Sequence, residues 1–247
     1  MNSILVFTIL LVISIVYSHF YDITSIDELE MTDNERNDII TYLDYLHNLL
    51  KKHEIIYWII GGTTLGSVRH NDIVPWDDDA DIGVFEYDLD KILALNDEIK
   101  NDGYEIVAHW KIYKFRKIGK EYPFVDIFCF KENNGVYEMN DAVLTSKWPN
   151  EYFLKNELFP LRQYKFNDLM LDGPNYPLDY LDRSYPKWRH IGYHSYDHKT
   201  NRRTNILIKL EQSNPKHKLK PYLYVKNKNN IKDEFDIHHN KKIITVE

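Results

Sequence analysis

Four of the five residues from Asp77 to Asp81 are aspartate, in the run Trp76-Asp77-Asp78-Asp79-Ala80-Asp81-Ile82-Gly83. Carboxylates at this density repel one another, and a fold that gathers them needs a partner for the charge. A divalent cation held by hard oxygen ligands is such a partner. The run follows an apolar stretch that ends in Gly61-Gly62-Thr63-Thr64-Leu65-Gly66. If residues 79–84 form a strand, side chains alternate between its faces. Asp77, Asp79 and Asp81 then share one face, and Asp78, Ala80 and Ile82 the other. Two carboxylates two residues apart can grip one ion from the same side. A solvated acidic turn is the plain alternative.

Composition narrows the partners. The net charge of −7 disfavours nucleic acid, whose phosphates need clustered Lys and Arg. It leaves room for a small phosphorylated substrate held through a metal. An aromatic share of 14% argues for a packed core rather than disorder. The single Cys129 excludes an internal disulfide and a multi-cysteine zinc site. Ile4 to Tyr17 is apolar except for Thr8 and Ser14. That is short for a spanning helix, which takes about 20 residues, and suits a signal-peptide core. Residues 1–18 are therefore expected to be a signal peptide, or a signal anchor holding the protein to a membrane through residues 4–17. Either places the remainder in the secretory pathway, in the ER/Golgi lumen or secreted. A buried core helix is the bland alternative.

Alternating helix and strand patterns follow. Thr32-Asp33-Asn34-Glu35 reads as a capping box opening a helix to about Lys52, with Ile39, Leu43, Leu46 and Leu50 on one stripe. Glu54 to Ile60 reads as a buried strand, Thr63 to His70 as a short helix, and Asp81 to Phe85 as the next strand. A helix capped by Asp88 through Lys100, two strands within Tyr104 to Ile118, and a strand over Phe124 to Phe130 come next. Tyr164 to Leu171 suggests a hairpin around Asn167-Asp168, and Pro177 a helix to Tyr185. From His194 onward the chain turns rich in Lys, Asn and His. Residues 194–247 are expected as a polar, partly ordered C-terminal extension outside a domain of residues 19–193.

The order of these elements carries chemistry. Gly61 and Gly62 let the backbone approach a ligand closely. The helix behind them presents free N–H groups and a positive dipole end, which suits a phosphate. The Asp-x-Asp strand would bring a metal to that phosphate. A third carboxylate is expected from a neighbouring strand, and Asp126, inside Phe124-Val125-Asp126-Ile127-Phe128, is the candidate. An aspartate in so apolar a run must be ligated or paired; a Lys or Arg partner is the alternative. Lys114 and Arg116 share a strand face and could contact donor phosphate or form a solvated edge. Histidines 194, 198, 238 and 239 lack a convincing metal spacing and are expected at the surface.

The segments Ile60-Gly61-Gly62-Thr63-Thr64-Leu65-Gly66-Ser67-Val68-Arg69-His70 and Ile73-Val74-Pro75-Trp76-Asp77-Asp78-Asp79-Ala80-Asp81-Ile82 closely resemble the LicD/fukutin family. Val125-Asp126-Ile127-Phe128, Leu158-Phe159-Pro160-Leu161 and the stretch from Tyr180 to Trp188 are similar to later elements of that family. The resemblance implies an α/β (α+β) nucleotidyltransferase-like fold: a mixed β-sheet flanked by helices, here with a less regular C-terminal extension. It implies Asp79 and Asp81 as the metal-binding pair, Asp126 as the third carboxylate, and Asp77 as a further ligand or a support for one. Gly61, Gly62 and Thr63 fall on the phosphate-side turn. Arg69 could face the donor phosphates or pair with the acidic cluster.

The activity so implied is a metal-dependent phosphotransferase. It would move an alcohol phosphate, of phosphocholine or ribitol phosphate type, from a CDP-linked donor to a glycan or glycoprotein acceptor, with Mg²⁺ or Mn²⁺ as cofactor. A metal-dependent glycosyltransferase using a nucleotide-sugar, and a secreted glycan-binding homologue without activity, stay open beside it.

Overall fold

The computed structural model describes residues 29–211, 214–220, 223–225 and 242–244. The apolar stretch 4–17 lies outside the described residues. Among the described residues no helix is long and apolar enough to cross a membrane.

Helix α1 (Asp33–Lys52) starts at the capping box: Glu35 N–H donates to Thr32 Oγ1 at 3.3 Å, and Thr32 N–H to Glu35 Oε2 at 2.8 Å. All four residues of its sequence stripe are buried. The expected strand from Glu54 shortens to β1 (Tyr57–Ile59), because Ile55 N–H still bonds back to Leu50 O and Glu54 turns with φ of 56°. Helix α2 (Gly61–His70) and strand β2 (Ala80–Phe85) follow. The single helix expected after Asp88 is two, α3 (Leu89–Ala94) and α4 (Asn96–Asn101), and the Asp88 side chain does not cap the first. Asn96-Asp97 interrupts the run, and such residues favour helix starts over interiors.

Strands β3 (Tyr104–His109) and β4 (Ile112–Lys117) form a hairpin, and β5 (Val125–Asn133) runs beside them. The main sheet has the order β1-β2-β5-β4-β3, extended from β5 through β6 (Val136–Met139) to β7 (Tyr152–Leu154). Only β2 and β5 pair in parallel, so the sheet is mixed, as expected. On one face Tyr42 of α1 meets the rings of Tyr104 and Phe115 edge-on at 5.7 and 5.8 Å. The other face carries Trp58, Phe128 and Phe130, and Trp58 meets Phe130 at 5.3 Å and Phe153 at 6.4 Å. Along this second face the row nearest the start of β5 is polar, because Asp81 is registered with Asp126 and Asp126 with Lys114.

Short helices α5 (Ala142–Lys147) and α6 (Lys155–Leu158) lead to the hairpin of β8 (Arg162–Phe166) and β9 (Leu169–Gly173), turned at Asn167 as expected. Helix α7 (Pro177–Ser184) opens on its proline. The C-terminal region differs from expectation. Strands β10 (Ile191–Asp197) and β11 (Arg202–Lys209) pair along their length, so a boundary at residue 193 would cut a strand. The hairpin is not peripheral. Gly192 lies so close to Trp76 that a Cβ there would come within 2.3 Å of the indole. His217 packs edge-on against Trp76 at 5.7 Å, and Lys220 N–H donates to Arg69 O at 3.0 Å. Docking through a glycine and histidines leaves no apolar stripe to read. Strands β12 (Leu223–Val225) and β13 (Lys242–Ile244) extend the β8–β9 sheet.

Candidate active site

The turn between β1 and α2 is shaped by carboxylates. Gly61 takes a φ of 53°, which a side chain rarely tolerates. A Cβ on Gly61 would stand 2.6 Å from Asp81 Oδ2, and one on Gly62 would stand 2.2 Å from Asp77 Oδ2. The Thr63 hydroxyl accepts the Asp81 N–H at 2.7 Å, so it fixes the strand that carries the acid rather than pointing at a ligand. Gly61 N–H donates to Tyr180 Oη at 2.8 Å, and that phenol in turn donates to Glu151. The amides of Gly62 and Thr63 sit in the first turn of α2, where no intrahelical acceptor exists.

Oxygens of Asp79, Asp81 and Asp126 lie within 4.8 Å of one another, one of two metal-competent groups among the described residues. Burial and mutual repulsion push these carboxyls up. Asp81 stands well above the ordinary range, by burial and then Asp79 and Asp126. Asp126 rises to about 7, by burial and then Asp79, against the pull of Lys114. Asp79 is raised by burial while His198 opposes. Three carboxylates that disfavour their own charge, at one point, fit a hard divalent cation.

Lys114 Nζ meets Asp126 Oδ1 at 2.9 Å and sits 3.1 Å from the Phe124 ring centroid. Asp126 is thus both a member of the acidic group and the partner of a buried lysine. Arg116 is spent on Glu105 at 2.9 Å.

Two expectations change. Asp77 belongs to neither metal-competent group among the described residues. The strand starts only at Ala80, so alternation does not carry back to Asp77, whose carboxylate lies over Gly62. Asp77 is raised well above the ordinary range by burial, then by Asp79 and Asp78. Arg69 is 1% exposed. Its guanidinium donates to His70 Nε2 at 2.8 Å and Trp188 O at 3.0 Å, and stacks on Trp76 at 5.2 Å. Burial lowers its pKa to about 10, with Asp77 opposing. It ties α2 to the C-terminal hairpin.

His198 was expected at the surface and is instead part of the site. It bonds Asp78, completing the second group of Asp78, Asp79 and His198. Burial opposes its charge, but Asp79 and Asp78 raise its pKa to about 9. The signal lay 120 residues from Asp78, in a hairpin whose docking the sequence conceals. Tyr185 also borders the acids, which together with burial push its phenol well up.

Residues 54–176 match the LicD/FKTN/FKRP nucleotidyltransferase domain. The chain belongs to this family. An uncharacterized protein of Rickettsia typhi is 40% identical over 142 residues, 58% of this chain and 43% of that protein. The ribitol 5-phosphate transferase FKRP of Mus musculus is 28% identical over 138 residues, 53% of this chain and 28% of that one. The lipopolysaccharide cholinephosphotransferase LicD of Haemophilus influenzae is 44% identical over 43 residues, 17% of this chain and 16% of that one. The chain therefore spans less than half the length of these relatives. What it shares with the family is the LicD/FKTN/FKRP nucleotidyltransferase domain, whose matched residues include the glycine turn, Asp79, Asp81 and Asp126.

Proposed function

We propose that this member of the LicD/FKTN/FKRP family is a metal-dependent phosphotransferase. It takes an alcohol phosphate, of phosphocholine or ribitol phosphate type, from a CDP-linked donor, passes it to a glycan acceptor, and releases CMP. The observation that carries this reading is the convergence of Asp79, Asp81 and Asp126 beside the Gly61-Gly62 turn at the start of α2.

Mg²⁺ or Mn²⁺ held by Asp79, Asp81 and Asp126 would neutralise charge on the donor pyrophosphate and on departing CMP. The first-turn amides of α2, with the positive end of its dipole, would receive a donor phosphate. Thr63 keeps Asp81 in place through its amide, and Lys114 keeps Asp126 in place through Oδ1. Asp126 would either share that metal or, with its carboxylate free, take the proton of the acceptor hydroxyl. The acceptor oxygen then bonds the phosphorus that bears the alcohol, the bond from that phosphorus to CMP breaks, and a phosphodiester remains on the glycan. Positioning and electrostatics supply most of the rate in such transfers.

CMP release by the purified full chain, with Mg²⁺ or Mn²⁺, across CDP-alcohols and nucleotide-sugars, tests this. Metal-dependent CMP release from one CDP-alcohol, absent in Asp79→Ala, is the expected result. UDP or GDP release from a nucleotide-sugar would replace this reading with a glycosyltransferase. The apolar residues 4–17 support a setting in the ER/Golgi lumen, which protease protection of the tagged full chain in microsomes tests.

A further inference from the structure

Two tryptophans, Trp148 and Trp110, lie beyond the acidic row, reached through Phe128. Phe128 lies two residues beyond Asp126 on the same face of β5, and its ring meets Trp148 edge-on at 5.9 Å. Lys147 Nζ stands 4.1 Å from the Trp148 ring centroid and 4.8 Å from that of Trp110. Trp110 turns the β3–β4 hairpin with φ of 54° and is 57% exposed. Its indole thus presents a large apolar ring to solvent beside Lys147. Together with Ala142, Val143 and Ser146, Trp110 and Lys147 line a shallow recess of 530 Å³. Phe128, Trp148, Lys147 and Trp110 thus form a track from beside Asp126 to the surface.

The charge of the track is specific. Lys147 stands between two indoles, and among the described residues no carboxylate pairs with it. Burial, then the nearby Arg203, lowers its pKa. Lys111 next to Trp110 is already paired with Asp141 at 3.0 Å. An unpaired ammonium on an aromatic floor, in a chain of net charge −7, is a local site for an anion that also presents a flat apolar face. Pyranose rings present such faces, and a recess open to solvent suits a chain that continues outward from it.

We propose that Trp110, Lys147 and Trp148 form a binding platform for an acidic saccharide, the acceptor glycan of the reaction above, with a sugar ring on the indoles and its acidic group at Lys147. As an acceptor site it rests on the phosphotransferase reading; as a saccharide site it does not.

The test is binding of the labelled full chain to an array of neutral, uronic-acid, sialylated and phosphorylated oligosaccharides, with affinities of the bound ones taken by tryptophan fluorescence. Acidic saccharides are expected to bind in preference to neutral ones. Trp110→Ala should weaken them at least tenfold, Trp110→Phe should recover most of the loss, and Lys147→Gln should abolish the preference for acid. Both positions are exposed, so circular dichroism and Tm should match the wild type and confirm the fold. Binding of no saccharide, or binding indifferent to Trp110→Ala, overturns the platform. CMP release is read separately, on the wild-type chain alone. Saccharide binding that depends on Trp110, without any CMP release, would keep the platform and remove the transferase. CMP release with saccharide binding indifferent to Trp110 would do the reverse.

Discussion

His198 grips Asp78 at two points: its backbone N–H donates to Oδ2 at 2.7 Å, and its ring Nδ1 meets Oδ1 at 2.7 Å. The other ring nitrogen, Nε2, lies 3.5 Å from Asp79 Oδ2. The tip of the C-terminal hairpin is thereby tied to a carboxylate of the acidic group. Groups that orient metal-ligating side chains cost about 10- to 100-fold in metal affinity or activity when removed. His198→Ala is expected to lower Mn²⁺ affinity and CMP release by about that factor, and His198→Asn, whose amide can reach Asp78 from the Nδ1 position, to recover part of it. Calorimetric titration with Mn²⁺ checks this; wild-type affinity in His198→Ala would leave the histidine a merely structural tie.

Asp81 faces Asp126 directly across the parallel strands. Burial, and then Asp79 and Asp126, hold its carboxyl well above the ordinary range. A carboxyl whose folded pKa is raised favours the folded state most when protonated, so its contribution is full below the unfolded value and is lost as pH rises through the folded one. At neutral pH without a cation the charge is therefore a cost. Asp81→Asn should raise stability in EDTA at pH 7.5. It should also lose the thermal shift on adding Mn²⁺, and about 10³-fold or more of the CMP release. Scanning calorimetry with and without Mn²⁺ reads the stability terms. A variant less stable than wild type in EDTA would mean that the cluster stores no repulsion.

The pair of Asp79, just before β2, and Asp81 within it was legible because glycines, helix and Asp-x-Asp follow one another within a short stretch, and Asp126 because a lone charge in an apolar strand demands a partner. That Lys114 is this partner follows from β4 and β5 lying side by side, which pattern alone does not reveal. The alternation that put Asp77 on one face with Asp79 and Asp81 does not hold, because the strand begins at Ala80; Asp77 still borders both electrostatically, which suits the supporting role expected of it as the alternative to a ligand. Arg69 was expected to face the donor phosphates or to pair with the acidic cluster; its buried guanidinium instead donates to Trp188 O and the His70 ring. His198 was missed because its contacts with Asp78 and Asp79 span about half the chain, and the hairpin that carries it docks through Gly192 rather than an apolar stripe.

The pairing of Lys114 with Asp126 bears on rate as well as on fold. The two side chains are 9% and 8% exposed and meet at 2.9 Å. Lys114→Met would leave the Asp126 carboxyl with burial and Asp79 pushing it up and one opposing influence fewer. If Asp126 takes the acceptor proton, the acid limb of the rate–pH profile should move to higher pH, so that activity falls more at pH 6 than at pH 8.5. Stability should drop by about 3 kcal/mol, as when a buried pair loses one partner. Lys114→Arg keeps the charge and should return the limb toward its wild-type position. A profile that falls evenly at all pH values in Lys114→Met would assign the lysine to packing and take the proton from another group.

His70 makes the fold itself sensitive to acid. Arg69 Nε donates to His70 Nε2 at 2.8 Å, which requires that nitrogen to be unprotonated. Burial, and then the Arg69 charge, pushes the imidazole down to about 2. In the unfolded chain it titrates near 6.5, so below about that pH the unfolded state binds a proton that the native state refuses. The sign is that of a depressed folded pKa: the contribution is complete above the unfolded value and is lost as pH falls. Between pH 7 and pH 5 this group should remove about 2 kcal/mol. His70→Gln can offer its amide oxygen to Arg69 without titrating, and should flatten the dependence over that interval. Urea denaturation at pH 5, 6 and 7 compares the two proteins. An equally steep loss in His70→Gln would place the acid sensitivity in another group, such as His47 or His194, which burial also pushes down; the raised carboxyls of Asp79, Asp81 and Asp126 act in the opposite direction.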